Sequence, residues 1–269
     1  MQYSLLTLER QDGVATVTLN RPERGNALNP ELQSEMENLF LELGEDNTVR
    51  VMVLTGAGSH FCTGADIEWF RSVIEKRRHG VYDREVSAGY IFSTRIPLAL
   101  RNMPQPTIAS INGSAIGGGI TLALNCDIRI AAEDARISFP FVSTVGVTPE
   151  LGSTYNLPRI VGIAKACELI FTGKSITGRE AKDLGLVNDA VSLDDLQAVT
   201  SDMAKSIAAA APTIVQLSKK ALYHGMNSDI QSQLLLEEEE LRQAYTSEEH
   251  DEAVKAFFEK RKPVFKGRK

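Results

Sequence analysis

Cysteine is scarce in this chain: only Cys62, Cys126 and Cys167 occur among its 269 residues. An odd number of widely spaced cysteines does not indicate a disulfide framework, and it predicts reduced thiols in a reducing compartment. Histidine is also rare, and the four histidines match no zinc-binding spacing. The sequence therefore predicts neither a disulfide-stapled protein nor a metal site.

An excess of basic charge and long apolar runs are missing as well. The formal net charge is −6, which argues against a nucleic-acid-binding surface over the whole chain. No run approaches the ~18 apolar residues of a membrane-spanning helix, and the first ten residues do not resemble a signal peptide. We therefore expect a cytoplasmic protein with no membrane span and no nucleic-acid partner.

Three motifs of nucleotide and hydrolase chemistry are absent. The sequence contains no G-x-G-x-x-G fingerprint and no G-x-S-x-G nucleophile elbow. The Gly173-Lys174-Ser175 segment has Glu168 where a phosphate-binding P-loop needs its first glycine. Dinucleotide binding, nucleotide hydrolysis and serine-hydrolase chemistry are therefore disfavoured.

Apolar periodicity predicts an α/β core, residues 1–194, followed by a helical extension, residues 195–269. Alternation predicts strands at 3–9 and 14–20, joined by a turn at Asp12-Gly13. Continuous apolar runs predict buried strands at 49–55, 106–111 and 125–132, with 186–191 as a last short strand. Helical spacing predicts helices that begin after Asn29-Pro30 and at about 84–102, 163–172, 178–184, 194–210, 212–226, 229–245 and 247–261.

Three segments between these elements carry more specific expectations. We expect 71–88 to be mobile in its first part because it is highly charged, and we expect 135–139 to pair with the strand at 125–132. Residues 140–151 are typical of a loop, with Val142, Val145 and Val147 facing inward, before a helical pattern that starts at Pro149-Glu150.

Three consecutive glycines, Gly117 to Gly119, lie between the strand at 106–111 and an apolar helical pattern. Glycine allows a substrate to approach the backbone, and the first turn of a helix has N–H groups without an intrahelical partner. This junction could hold an oxyanion or a phosphate. A tight packing site between helix and sheet explains the glycines equally well.

Two acidic residues are candidate site residues with simpler alternatives. Asp66 follows a second glycine-containing loop, and helix capping is the favoured interpretation over catalysis. Glu150 follows a proline among apolar neighbours, so it is either a partner of the helix dipole, which the spacing favours, or a partly desolvated acid with a raised pKa. Arg21 and Arg24 could hold a phosphate, although two solvated loop arginines are the favoured interpretation. His60 and Cys62 form no convincing metal or nucleophile site.

Several motifs, taken in chain order, resemble those of the crotonase (enoyl-CoA hydratase/isomerase) superfamily. They are Phe61-Cys-Thr-Gly-Ala-Asp-Ile67, Asn112 to Gly119, Asn125-Cys-Asp-Ile-Arg129, Leu157 to Gly162, Ala181 to Val187 and Phe258 to Pro263. The resemblance extends over nearly the whole chain. It implies a spiral of ββα units, a homotrimer or dimer of trimers, and an acyl-CoA thioester substrate. Coenzyme A would be part of that substrate, with no separate cofactor.

The resemblance also implies an oxyanion hole formed by the backbone N–H groups of Ala65 and Gly118, which hold the thioester oxygen of an enolate-like intermediate. Side chains then decide the reaction. The hydratases of the superfamily carry one glutamate two residues after the glycine triplet and a second after a proline in the next loop. This chain has Thr121 and Phe141 at those positions. The ordinary hydratase mechanism is therefore doubtful.

The segment Thr148-Pro149-Glu150 is instead similar to the single-glutamate site of monofunctional 3,2-enoyl-CoA isomerases. The resemblance makes Glu150 the carboxylate that moves a proton from C2 to C4 of a 3-enoyl-CoA. It also implies contacts with the coenzyme A part of the substrate, including contacts made by the tail around Lys260 of a neighbouring subunit. These contacts fall on Arg24, Ala27, Asp66, Ile67, Gly117, Phe257 and Lys260.

Other functions stay open at this point. A noncanonical hydratase or an aryl-CoA dehalogenase with a nucleophilic carboxylate near Glu150 would use the same oxyanion hole. An inactive protein that binds a CoA ligand is a second class. The presence of Ala65, the glycines and an acid in one chain argues against that class.

Overall fold

The computed structural model describes residues 3–79 and 84–266. Its strands are β1 (Leu6–Gln11), β2 (Val14–Leu19), β3 (Val51–Gly56), β4 (His60–Cys62), β5 (Thr107–Ile111), β6 (Ser114–Ile116), β7 (Ile128–Ala132), β8 (Ile137–Ser138) and β9 (Asp189–Val191). Its helices are α1 (Pro30–Glu45), α2 (Ile67–Arg78), α3 (Arg84–Asn102), α4 (Gly118–Leu124), α5 (Ser153–Val161), α6 (Ile163–Thr172), α7 (Gly178–Asp183), α8 (Leu193–Ala208), α9 (Pro212–Gly225), α10 (Ile230–Tyr245) and α11 (Glu248–Phe258).

A repeated ββα unit generates two sheets. The first strands of the pairs β3–β4, β5–β6 and β7–β8 join a six-stranded sheet of order β1-β2-β3-β5-β7-β9. The second strands form a three-stranded parallel sheet of order β4-β6-β8. A helix follows each pair. The predicted α/β fold of ββα repeats is therefore confirmed.

Local sequence signals account for several of these elements. Asp12 and Gly13 both have a positive φ, of 51° and 80°, as the tight turn between β1 and β2 requires. The side chain of Asn29 accepts a hydrogen bond from the Leu32 N–H and caps α1. The apolar stripe of α1 is buried as its spacing predicts, at Leu32, Met36, Leu39, Phe40 and Leu43.

Two predicted segments differ from the structure. Residues 71–78, which the sequence predicts to be mobile, belong to helix α2, because Asp66 caps that helix and Lys76, Arg77 and Arg78 complement the dipole of its last turn. The rest of the predicted mobile segment includes 80–83, which lie outside the described residues. Strand β8 pairs with β6 and not with β7, because a turn closed by the Ala135 N–H and the Ala132 carbonyl directs the chain into the second sheet.

The segment before α5 also differs from its prediction. Residues Phe141–Val145 form a π-helical turn in which only Phe141 is buried. Val142, Val145 and Val147 are 48%, 40% and 42% exposed, so the prediction that they face inward is wrong. Helix α5 starts at Ser153 rather than at Pro149, because Leu151 and Gly152 adopt left-handed backbone conformations.

The C-terminal helices differ in how closely they join the sheets. Helix α8 packs against β3, β5 and β7 and buries Leu196, Thr200, Ala204 and Ala208. Helix α9 is tied to the core through Lys219, whose ammonium pairs with Asp127 at 2.8 Å. Helix α10 packs against α9, and α11 packs against α10. The division of the chain at residue 194 stays a prediction. Among the described residues, no helix combines the length and apolarity needed to cross a bilayer.

Candidate active site

The two glycine-containing loops meet beyond the carboxyl ends of the three-stranded sheet. Gly64 follows β4 with a φ of 88°. A Cβ on Gly64 would lie 2.7 Å from the Ile116 carbonyl oxygen and 3.4 Å from the Gly118 nitrogen. Only a residue without a side chain allows this approach. The sequence therefore places the backbone of Ala65, the next residue, beside the start of α4.

The N–H of Ala65 is left without a protein acceptor. Ala65 pairs with Leu28 in an isolated parallel bridge. The Leu28 N–H donates to the Gly64 carbonyl at 2.7 Å, and the Asp66 N–H donates to the Leu28 carbonyl at 3.1 Å. The hydrogen bonds of this bridge are therefore made by Gly64 and Asp66, the two neighbours of Ala65, and not by Ala65 itself. Within 3–79 and 84–266, no group accepts a hydrogen bond from its N–H.

The three glycines of the triplet have different places in the structure. A Cβ on Gly119 would lie 2.0 Å from the Cys62 carbonyl oxygen, so Gly119 is a packing residue between α4 and β4. Gly118 is the first residue of α4, where an N–H has no intrahelical acceptor. Gly117 has a φ of 54° and directs the chain into the helix. Gly118 and Ala65 can therefore supply two backbone donors to one ligand atom.

Glu150 lies beside this donor pair. A Cβ on Gly118 would lie 3.7 Å from Oε1 of Glu150, 3.2 Å from Leu28 Cδ1 and 3.3 Å from Leu151 Cδ1. Burial among such neighbours raises the pKa of the Glu150 carboxyl above its ordinary value. Of the two interpretations of Glu150, the structure therefore supports the desolvated acid, whereas the sequence spacing favoured the dipole partner.

Thr121 and Phe141, which replace the expected glutamates, offer no acid or base. The Thr121 side chain is fully buried, and its hydroxyl donates to the Gly117 carbonyl at 3.0 Å. Phe141 is 4% exposed, and its ring lies 3.9 Å from where a Cβ on Gly117 would be. Phe141 therefore forms an apolar wall next to the glycine triplet.

The π-helical turn that carries Phe141 also contacts the end of α6. Gly173 ends α6 with a φ of 62°. A Cβ at that position would lie 2.1 Å from the Ser143 hydroxyl and 3.2 Å from the Pro140 Cα. The end of α6 is therefore in close contact with the turn that carries Phe141.

Asp66 lies in a cluster of polar contacts with Arg21 and Glu68, called the Asp66 cluster here. The Asp66 carboxylate caps α2 through the Glu68 N–H and pairs with Arg21 at 3.0 Å. The side chains of Arg21 and Asp66 are only 12% and 11% exposed, so the expectation of a solvated Arg21 is wrong. The sequence did not reveal the burial of Arg21, because its partner Asp66 is 45 residues away.

The other predicted contacts with coenzyme A fall into two groups. Arg24 is exposed and pairs with Glu68 at 2.8 Å, Ala27 is buried and Ile67 is 69% exposed; all three belong to the segments that form the Asp66 cluster. Phe257 lies in the last turn of α11 and Lys260 just beyond it, and neither residue takes part in that cluster. Their roles stay predictions, and tail residues 267–269 lie outside the described residues.

Comparison with known proteins identifies the family. Residues 9–268 match the family described as enoyl-CoA hydratase/isomerase. The short-chain-enoyl-CoA hydratase of Clostridium acetobutylicum is 38% identical and covers 97% of this chain and 97% of its own length. The crotonyl-CoA hydratase of Syntrophomonas wolfei is 34% identical, covering 98% of this chain and 99% of its own. The crystal structure of an enoyl-CoA hydratase from Bacillus anthracis superimposes with a TM-score of 0.90 at 34% identity, covering 98% of this chain and 100% of that one.

Proposed function

Because this chain belongs to the enoyl-CoA hydratase/isomerase family, we propose that it moves the double bond of a 3-enoyl-CoA to position 2. The observation that supports this reaction is the position of the Glu150 carboxylate beside the Gly118 donor. Thr121 and Phe141 occupy the two positions where the superfamily resemblance puts the glutamates of hydratases. One carboxylate suffices for a proton transfer within the substrate.

The reaction begins with the thioester oxygen of the substrate between the N–H groups of Ala65 and Gly118. Glu150 removes a proton from C2, and the electron pair moves onto the thioester to give a dienolate. The two N–H groups stabilise the negative oxygen, one donor of this kind being worth roughly 3–4 kcal/mol of barrier. Protonated Glu150 then returns the proton at C4, and the double bond forms between C2 and C3.

The environment of Glu150 fits this double role. A carboxyl whose pKa is raised by burial is a stronger base than an exposed one, and it holds the proton long enough to return it. The apolar wall formed by Phe141 keeps water from the dienolate. Both features favour a proton shuttle over the addition of water.

Hydration of a 2-enoyl-CoA is the second candidate. Two relatives, a short-chain-enoyl-CoA hydratase and a crotonyl-CoA hydratase, support it. For this reaction Glu150 would have to activate a water molecule and return its proton to carbon, since Thr121 and Phe141 supply neither function. Product analysis separates the two reactions.

The test is an assay of the purified protein with a 3-enoyl-CoA and, separately, a 2-enoyl-CoA, with the products resolved by mass. Isomerisation gives a conjugated product of unchanged mass, and hydration adds the mass of water. We expect a conjugated product without mass gain. We also expect Glu150→Gln to lower turnover by about 10²- to 10⁴-fold while acyl-CoA still binds.

Glu133→Gln is the matched control, because Glu133 forms an exposed ion pair with Arg179 at 2.6 Å away from the site. This variant should keep wild-type turnover. A hydrated product would favour the second candidate. Near-wild-type turnover of Glu150→Gln would remove Glu150 from either mechanism.

We also propose that the chain acts as a homotrimer or a dimer of trimers. Helices α9 to α11 expose several large apolar side chains, at Leu222, Ile230, Leu234, Leu235, Phe257 and Phe258. Contact with a second subunit would bury them, and it would let Phe257 and Lys260 reach a neighbouring site. Light scattering coupled to size-exclusion chromatography would test this proposal, and a monomer at micromolar concentration would contradict it.

A further inference from the structure

Glu150 lies in the turn that precedes α5. Within the described residues, no group donates a hydrogen bond to its carboxylate. The backbone must therefore set its position, and that backbone is unusual: Leu151, the next residue, has a φ of 54°. Left-handed conformations are disfavoured for residues with a Cβ. Something outside the turn has to hold it there.

The side-chain amide of Asn125 holds this turn. Its Nδ2 donates to the Leu151 carbonyl at 2.9 Å and to the Thr121 carbonyl at 2.8 Å. Thr121 belongs to α4, the helix that begins at Gly118. One buried amide thus joins the turn of the acid to the helix of an oxyanion donor.

The orientation of that amide is fixed in turn by Asn156 and Arg101. The guanidinium of Arg101 can only donate, and it donates to Oδ1 of Asn156 at 2.7 Å. The Nδ2 of Asn156 therefore faces Asn125, and it donates to Oδ1 of Asn125 at 3.0 Å. Both hydrogens of the Asn125 amide must then face the carbonyls of Leu151 and Thr121.

We propose that Asn125 is a positioning residue for Glu150, held in its working orientation by Asn156 and Arg101. The inference rests on the function proposed above. Asn125 and Asn156 are 3% and 5% exposed, and the amide groups that form this network are hydrogen-bonded to one another or to the backbone. A satisfied buried network of this kind specifies one geometry. Here that geometry is the distance between the acid and the Gly118 N–H.

Two variants test the proposal at different strengths. Asn125→Ala removes the bonds to Leu151 and to Thr121, whereas Asn156→Asp keeps an acceptor for Arg101 and replaces the donor to Asn125 by an acceptor, which leaves the Asn125 amide in place but without its fixed orientation. We expect Asn125→Ala to lower kcat by about 100-fold, since a displacement of about 1 Å can have that effect. We expect a smaller loss for Asn156→Asp. The KM of both variants should stay within about twofold, because the donors that bind the thioester oxygen are intact.

The pH profile distinguishes positioning from a general loss of stability. In the wild type, kcat/KM should fall as the pH drops through the raised pKa of Glu150. In Asn125→Ala, a loosened turn admits water, and the midpoint should move toward the ordinary pKa of glutamate. Thr200→Val is the control, because it removes one buried hydrogen bond, to Ser110 at 3.1 Å, away from the site. It should lower Tm without changing kcat or the profile.

The possible outcomes are distinct. If the wild type is active, and if Asn125→Ala behaves like Thr200→Val in both kcat and pH profile, Asn125 does not position the acid. If Asn125→Ala does not fold, Asn156→Asp decides the question. If the wild type produces no double-bond shift, the proposed function fails; the pKa of Glu150, followed by NMR on ¹³C-labelled glutamate, then tests the role of Asn125 alone.

Discussion

The carboxylate of Glu150 faces the backbone of Gly118, with Oε1 3.7 Å from the point where a Cβ on that glycine would lie. The proposed proton acceptor and the proposed oxyanion donor are therefore neighbours in the fold. The absence of a side chain at residue 118 keeps the space between them open. A substitution at this position should therefore lower activity more than it lowers the stability of the fold.

Gly118→Ala should lower kcat/KM by about 100-fold, because a methyl group would occupy the space of the acyl group and displace it. The nearest atoms to that methyl are Leu28 Cδ1 at 3.2 Å and Leu151 Cδ1 at 3.3 Å. Both are ends of flexible side chains, so we expect the variant to fold. Steady-state kinetics and a thermal melt measure the two effects.

Gly44→Ala is the matched control for this variant. Gly44 lies within α1, where a Cβ would approach only Pro104, at 3.8 Å. Alanine should keep wild-type kinetics there and stabilise the helix slightly. Equal losses of activity in the two variants would contradict a specific role for Gly118.

Glu150→Gln should be more stable than the wild type at neutral pH. In the unfolded chain this glutamate ionises near its ordinary pKa of about 4.3, and in the folded protein burial raises that pKa. Above the folded pKa, the buried charge destabilises the wild type; below the unfolded pKa, both states are protonated and the effect vanishes. Chemical denaturation at several pH values should show the advantage of glutamine shrinking as the pH falls toward about 4.

Glu180→Gln should show the opposite dependence. Hydrogen bonds from Thr177 in the capping box of α7 lower the pKa of Glu180. Glutamine at this position should therefore destabilise the protein at neutral pH, and the loss should shrink in acid. An identical pH dependence of the two variants would contradict the burial argument for Glu150.

A thiol reagent should modify about one cysteine per native chain at neutral pH. Cys62 and Cys126 are buried, and burial raises the pKa of each thiol to about 12, so neither supplies a reactive thiolate. Cys167 is partly exposed. Denaturant should expose all three, and Cys167→Ser should abolish the native reaction. Fast labelling of two or more native thiols would contradict the buried placement of Cys62 and Cys126.

Elements defined by local signals were predicted well from the sequence. Helix α6 lies at residues 163–172 as its spacing predicts, because Gly162 and Gly173 mark both ends. The apolar stripe of α1 and the turn at Asp12-Gly13 were also predicted, because residues within those segments determine them. The family resemblance, which also depends on local motifs, is confirmed by the match of residues 9–268.

Features that depend on distant contacts were not predicted. The conformation of Leu151 requires Asn125, 26 residues away, and the burial of Arg21 requires Asp66, 45 residues away. The partner of β8 is decided by a turn and not by the apolar pattern of the strand. Spacing alone favoured Glu150 as a dipole partner, since the chain around it does not reveal that α5 begins only at Ser153.

Gly173 influences the proposed site although it is not part of it. It carries no chemistry, yet its bare backbone supports Pro140 and Ser143, and these belong to the turn that presents Phe141 to the glycine triplet. A side chain at residue 173 should therefore displace Phe141 relative to the glycine triplet. Ranking positions by their distance from Glu150 would overlook Gly173. The effect of a substitution in this protein should therefore be judged from the residue-to-residue contacts that connect it to the site.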